Sequence, residues 1–401
     1  MVRFGVFWLT IVFSLILNAN SFAQNAAEFN QTGMELLRQG KINEAVAEFQ
    51  KAINADSTFA NAYVNLGFIN YTVGKIDEAI ALYEKALIFE PESALAHNNL
   101  ASAYLAQGNY NKTINEYKLA IKYKPDYPQA YNNLGFALYS IGLYDLAIKE
   151  INKALELRTN YAMAHSNLGM AYHAKGMFDE AEAQYKKALE LEPDLVIAHI
   201  NLGITFRSKG MIDESIQSHL TAIKLDSLNI EAYNNLGLSY FDKGDLDHAI
   251  AAFKKVLEIS PKYPVVHNNL AYAYYEILNY SMAMQHAKTA ERLGLRINPD
   301  FMSQLEKALD PDYMRALHIL VKTRADADQI VNELKQGADF RQLALKKSLD
   351  RATASKGGDF GYFKKGDLRA EFENVILGLK VSEISTVLET DLGFHIFQRL
   401  N

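Results

Sequence analysis

The sequence predicts an α-helical repeat solenoid of antiparallel helix pairs followed by a small C-terminal α+β domain, and three observations predict it. Gly33, Gly67, Ala101, Gly135, Gly169, Gly203, Gly237 and Ala271 follow one another at 34-residue intervals without insertion, the mark of an internal repeat. Past Asp310 and Pro311 that period stops, and "MRALHILVK" alternates as a strand does. Ahead of the repeats stands a short apolar run with the layout of an export signal.

That run, "MVRFGVFWLTIVFSLILNANSFAQ", places Arg3 before an uncharged stretch from Phe4 to Leu17, with the small residues Ser21 and Ala23 two apart. It reads as a signal over residues 1–23, cut after Ala23. The apolar core is short against the roughly 20 residues that cross a bilayer, so membrane attachment is expected only if the signal stays uncut. The chain has no cysteine, which excludes disulfides and N-terminal lipid acylation. The expected location is exported, the periplasm first and the medium second. A net charge of -6 in 401 residues, spread along the chain, gives no basic face for nucleic acid. No cofactor or metal is expected.

Within each repeat a second glycine follows seven residues on, at Gly40, Gly74, Gly108, Gly142, Gly176, Gly210 and Gly244, and gives way to Leu278 in the eighth. Each should end one helix and let the chain reverse. Small residues at Ala45, Ala79, Ala147, Ala181 and Ala249, and again at Ala52, Ala86, Ala120, Ala154 and Ala188, allow helices to approach closely. Prolines at Pro91, Pro125, Pro193 and Pro261 close helices. The pattern resembles the tetratricopeptide repeat, with eight copies over residues 26–297. The resemblance implies helix pairs stacked into a superhelix whose groove binds extended client polypeptides or partner proteins. Residues 298–310, with "PDFMSQLEKAL", are expected to form a capping helix and linker. The groove-facing candidates are Asn65, Asn99, Asn133, Asn167, Asn201, Asn235 and Asn269, with Phe68, Phe136, Met170, Ile204 and Leu238 beside them. Carboxamides there serve equally to hold a peptide backbone or to bridge neighbouring repeats. His97, His165, His199 and His267 share a repeat position with Phe29, Tyr63, Tyr131 and Tyr233, so they read as aromatic packing and not as metal ligands.

Residues 311–401 read as strand, two helices ("ADADQIVNELKQG", "DFRQLALKKS"), a short strand "DFGYF" after Gly357 and Gly358, a helix from Asp367 to Leu379, and two strands, "EISTVLET" and "GFHIFQRL". Here "HILVK", "GADF", "SLD", "GGDFG", "AEFE", "SEIS" and "LGFHI" follow in the order and spacing of the parvulin peptidyl-prolyl isomerases, which the segment resembles over nearly a whole domain. The resemblance implies a proline pocket from Leu368 and Phe372 with Phe360 on its wall, and a polar catalytic set of His318, Asp350, Thr390 and His395. Arg369 and Leu392 stand where substrate preference is set. "KTRADADQ" enters a helix at once, without a long basic loop, so no phosphate requirement is expected. The expected function is an exported prolyl isomerase and folding factor. The rival is a non-catalytic adaptor for envelope assembly that keeps the C-terminal domain for binding alone.

Overall fold

The computed structural model describes residues 24–401, so the expected signal lies outside the described residues. The chain divides into two compact units, one ending at Met211 and one running from Ile212 to Asn401. The first unit is a succession of helix pairs: α1 (24–38) and α2 (Ile42–Ala55), α3 (Ala60–Thr72) and α4 (Ile76–Phe89), α5 (Ala94–Ala106) and α6 (Tyr110–Tyr123), α7 (Pro128–Ser140) and α8 (Tyr144–Leu157), α9 (Ala162–Ala174) and α10 (Phe178–Leu191), then α11 (Val196–Ser208). The expected turn glycines Gly40, Gly74, Gly108, Gly142 and Gly176 all take φ between +73° and +80°, the left-handed region that glycine enters without steric cost. The other glycine of each repeat serves packing. A Cβ on Gly33, Gly67 or Gly169 would come within 2.6, 2.6 or 2.7 Å of the buried ring of Phe49, Tyr83 or Tyr185.

The second unit begins with α12 (Ile212–Leu225), the pairs α13 (Ile230–Lys243) and α14 (Leu246–Ile259), α15 (Pro264–Glu276) and α16 (Tyr280–Arg292), and α17 (Pro299–Leu309). Leu278, where the turn glycine is missing, still takes φ 61°. Helix α17 covers the last repeat: Phe301 stacks on Tyr272 with ring centroids 4.0 Å apart, and Leu305 is fully buried.

Then follow β1 (Tyr313–Val321), α18 (Arg324–Lys335), α19 (Phe340–Lys347), α20 (Arg351–Ala354), β2 (Asp359–Lys364), α21 (Ala370–Gly378), β3 (Leu388–Thr390) and β4 (Gly393–Arg399). The strands form one antiparallel sheet in the order β2-β1-β4-β3. Alternation along β1 and β4 sorts their side chains onto two faces. Leu317, Ile319, Val321 and Ile396 pack with Ala327, Ile330 and Leu334 of α18 and with Phe340, Leu343 and Ala344 of α19. Met314, Ala316 and Phe397 pack on the other face with Phe363 and with Phe372 and Ile376 of α21.

Three elements differ from expectation. Helix α20 was not foreseen; it is a single turn started by the Asp350 carboxylate accepting the Ala352 N–H. Helix α21 begins at Ala370 and not at Asp367, because Asp367 is spent accepting the Lys364 N–H at 2.7 Å. The strand expected from Glu383 is reduced to β3 and a lone Ile384 bridge to Gln398, since the Ser385 hydroxyl takes the Phe397 N–H. The sheet also meets the last repeat. Arg315 of β1 pairs with Asp359 of β2 at 2.5 Å and donates to the Tyr275 hydroxyl of α15, which lies 3.2 Å from the Tyr362 hydroxyl. These contacts lie within the second unit.

Candidate active site

The inner face of the sheet brings the predicted polar residues into one line. His318 lies opposite Phe397, and His395 opposite Leu320, in the β1–β4 register, so the two imidazoles are diagonal neighbours on one face. His318 Nε2 lies 2.8 Å from His395 Nδ1, His318 Nδ1 lies 2.8 Å from Asp350 Oδ2, and His395 Nε2 lies 2.7 Å from Thr390 Oγ1. Chemistry fixes the direction of these bonds. The Asp350 carboxylate only accepts, so His318 Nδ1 carries a proton, its Nε2 accepts from His395 Nδ1–H, and His395 Nε2 accepts the Thr390 hydroxyl. Thr390 Oγ1 in turn accepts the Leu392 N–H at 3.1 Å. The chain is complete with both imidazoles neutral.

Electrostatics agrees. Burial lowers the His318 pKa against the opposing pull of Asp350. Burial, then His318 and Arg369, push His395 down to about 4. Burial works against ionised Asp350, but hydrogen bonds from Thr353 and His318 outweigh it and hold the carboxyl below its ordinary value.

Because the native histidines bind protons only below their unfolded values, the unfolded chain takes up more protons between about pH 6.5 and pH 4, and stability is lost as the pH drops through that window. Asp350 adds a loss in the same direction at lower pH. His286, pushed down to about 4 by burial, His267 and Lys254, contributes the same sign from α16. Thermal melts from pH 7 to pH 4 should therefore show falling stability, with a shallower slope in a His395→Gln variant; an unchanged slope would contradict the assignment.

The predicted apolar residues surround this line. Phe360 stacks on His318 at 5.0 Å, and Phe372 tilts against His395 at 4.8 Å and Phe397 at 5.2 Å. Leu368 joins the same cluster. Arg369 and Leu392 are exposed at the rim, where Arg369 pairs with Glu371 and Asp391 and its guanidinium lies 5.7 Å from the Phe372 ring. Met314 and Phe397 were missed, although both lie at even spacing from a predicted histidine. The Gly357–Gly358 turn closes the site from below, with the Gly358 carbonyl accepting the His318 N–H at 2.8 Å. A cavity of about 570 Å³ lined by Tyr275, Arg315, Leu317, Phe340 and Arg341 lies elsewhere in the second unit and includes none of the predicted residues. Among the described residues no group of three or more His, Asp or Glu could hold a metal.

The asparagine row needs a correction. The side-chain amides of Asn65, Asn133, Asn167 and Asn269 donate to Asn30, Asn98, Asn132 and Asn234, each 35 residues earlier, at 2.8 to 3.3 Å. They are rungs between neighbouring repeats and not free carboxamides awaiting a peptide. Where residue 35 positions earlier is not asparagine, the rung is absent. Asn99 faces Val64 in register and instead accepts from Asn98, while Asn235, 35 after Ile200, donates back to Glu231. Asn201 falls in register with Ser166, and its buried amide and the Ser166 hydroxyl both lack partners. Replacing Asn133, Asn167 and Asn201 together with alanine should thus lower array stability, about 0.5–1.5 kcal/mol for each of the two rungs lost. Urea unfolding followed by circular dichroism checks this, and unchanged stability would refute the rungs.

Comparison with known proteins finds relatives for both parts of the chain. Residues 303–401 match the PPIC-type PPIASE domain, and residues 33–142 and 203–277 match the TPR repeat in overlapping segments, with residues 126–194 matching a second tetratricopeptide repeat description. The C-terminal part is 45% identical over 92 residues to a parvulin-like PPIase of Rickettsia bellii, covering 22% of this chain and 32% of that protein. It is 44% identical over 85 residues to the foldase protein PrsA of Geobacillus kaustophilus, covering 21% and 30%. The chain thus spans about a third of the length of these curated relatives. The helical array is similar in fold to the APC/C hetero-tetramer Cut9-Hcn1 (TM-score 0.57, 18% identity, 67% of this chain and 52% of that one) and to a tetratricopeptide repeat protein of Parabacteroides merdae (TM-score 0.51, 19% identity, 62% and 99%). The sheet domain is therefore of the PPIC or parvulin type, and the helices before it are tetratricopeptide repeats.

Proposed function

We propose that this protein is an exported peptidyl-prolyl cis-trans isomerase and folding factor, whose repeats hold an extended client while the sheet domain turns over its X-Pro bonds. The observation that carries the proposal is the closed line Asp350–His318–His395–Thr390 set against the ring cluster of Phe360, Phe372 and Phe397. Rotation about a peptide bond meets a barrier of roughly 18–20 kcal/mol and needs no covalent step. A proline ring seated on Phe360, Leu368 and Phe372 is shielded from water, which destabilises the polar planar amide relative to its twisted form. The twisted carbonyl, no longer conjugated, lies over neutral imidazoles that take no proton from it. Turnover at about 10 to 10³ per second asks for on the order of 4–7 kcal/mol of such preference.

On the array, the exposed Phe68 and the half-buried Phe136, Met170, Ile204 and Leu238 are the side chains offered to a client. The asparagines are at most a secondary contact, since the amides of Asn65, Asn133, Asn167 and Asn269 are engaged between repeats. Export rests on the 1–23 run, with cleavage leaving Gln24 first, and the periplasm is the compartment proposed.

The test is isomerisation of short unphosphorylated X-Pro peptides by the mature chain and by two fragments. A fragment starting at Pro299 keeps α17, whose contacts with β1 and β2 a fragment starting at Pro311 loses. Full activity is expected in the longer fragment and reduced stability in the shorter. A well-folded mature chain without activity on any X-Pro peptide would overturn the proposal in favour of the adaptor.

A further inference from the structure

Glu373 is a carboxylate placed where carboxylates are rarely found: it is 5% exposed, on the inward side of α21, one residue after Phe372. Burying such a group is costly unless it is bonded. Its Oε1 accepts two backbone N–H groups from the preceding loop, Gly366 at 2.7 Å and Leu368 at 3.0 Å. That loop turns at Gly366 with φ +101° and carries Leu368 into the cluster of Phe372, Phe360 and Phe397. The next residue, Arg369, forms the rim. One buried oxygen thus ties the loop bearing one wall of the cleft to the helix bearing the other.

We propose that Glu373 is a positioning residue for the proline cleft, holding the Gly366–Leu368 loop so that Leu368 closes the apolar wall beside Phe372. This rests on the isomerase reading of the same site. A simple helix-capping role would make Glu373 a matter of stability alone, so the test separates the two. Glu373→Ala loses the acceptor, Glu373→Gln keeps an oxygen in place, and Val331→Ala, which trims the core on the opposite face of the sheet, serves as a destabilised control.

Three readouts apply: kcat and KM on an unphosphorylated X-Pro tetrapeptide, the dissociation constant of that peptide by NMR titration, and amide hydrogen exchange at Gly366 and Leu368. Glu373→Ala should lower kcat/KM about tenfold, equivalent to ~1.4 kcal/mol, mainly through KM, and should weaken peptide binding in step. It should also lose exchange protection at Leu368. Glu373→Gln should restore most of each, and Val331→Ala should change none of them at a temperature where it is folded. A folded Glu373→Ala variant with unchanged kcat/KM and peptide affinity, or one whose losses merely match Val331→Ala, overturns the positioning role. Retained exchange protection at Leu368 overturns it as well. An unvaried protein that binds the tetrapeptide without isomerising it sinks the isomerase reading alone, and the affinities and exchange rates still decide the role of Glu373.

Discussion

Phe372→Ala is expected to reduce kcat/KM for the proposed prolyl isomerisation by about 100-fold, some 2.7 kcal/mol of the barrier lowering. The ring is 8% exposed and meets His395, Phe397 and His318 at 4.8, 5.2 and 5.9 Å, so its loss opens the dry side of the cleft directly above the imidazole line. Water admitted there solvates the planar amide and removes the preference for the twisted one. The same deletion leaves a hole in the core and costs about 3–5 kcal/mol of stability, which a small domain barely tolerates. Phe372→Leu therefore accompanies it: an apolar side chain of similar reach keeps the fold and much of the water exclusion, and should lose less activity. Peptide assays at a temperature where circular dichroism shows both variants folded make the comparison. A folded alanine variant within threefold of the parent would show that Phe372 is packing and no part of the cleft.

How much of this was legible in the sequence depends on whether the deciding partner is local. The repeat turns were legible because each left-handed position carries its own glycine; Leu278, which adopts the same conformation without one, was legible only through the period. The parts of the site were legible as short motifs in register, and His318, Asp350, Thr390 and His395 do meet. Glu373 was not, since within "AEFE" it looks like any helical carboxylate, and its burial depends on a loop folding back over it. The asparagine row left two readings open for a different reason. A residue repeated every 34 positions looks like a surface presented outward, whereas its hydrogen bonds run to the residue 35 back. The dipeptides Asn98-Asn99, Asn132-Asn133 and Asn234-Asn235 were the available sign, because a bond from the second asparagine of one repeat requires the first of the repeat before. The attachment of the sheet to the last repeat was illegible: Tyr275 and Tyr362 are two aromatics among many until Arg315 brings them together.

Gly358→Ala should unfold or grossly destabilise the sheet domain, while Gly361→Ala, only three residues away, should not. Both glycines are left-handed, at φ +84° and +75°, so both substitutions carry the roughly 1–2 kcal/mol that a Cβ costs in that conformation. They differ in space. A Cβ on Gly361 meets nothing within 4 Å, whereas one on Gly358 would land far inside van der Waals contact of the His318 carbonyl oxygen, with Ala344 Cβ at 3.1 Å and His318 N at 3.2 Å. Relief requires β1 and the Gly358 turn to separate. That breaks the His318 N–H to Gly358 carbonyl bond and shifts the imidazole that joins Asp350 to His395. Neither Ala344, packed in the core of α19, nor the strand backbone can move cheaply, because close-packed interiors transmit such strain. The added cost should exceed the left-handed penalty by a further 2 kcal/mol or about that. Thermal melts of the Pro299–Asn401 fragment should show Gly361→Ala melting a few degrees below the parent with its activity retained. Gly358→Ala should lack a cooperative transition or melt far lower, with isomerase activity lost. Equal melting of the two variants would mean that the turn holds His318 less closely than its geometry implies.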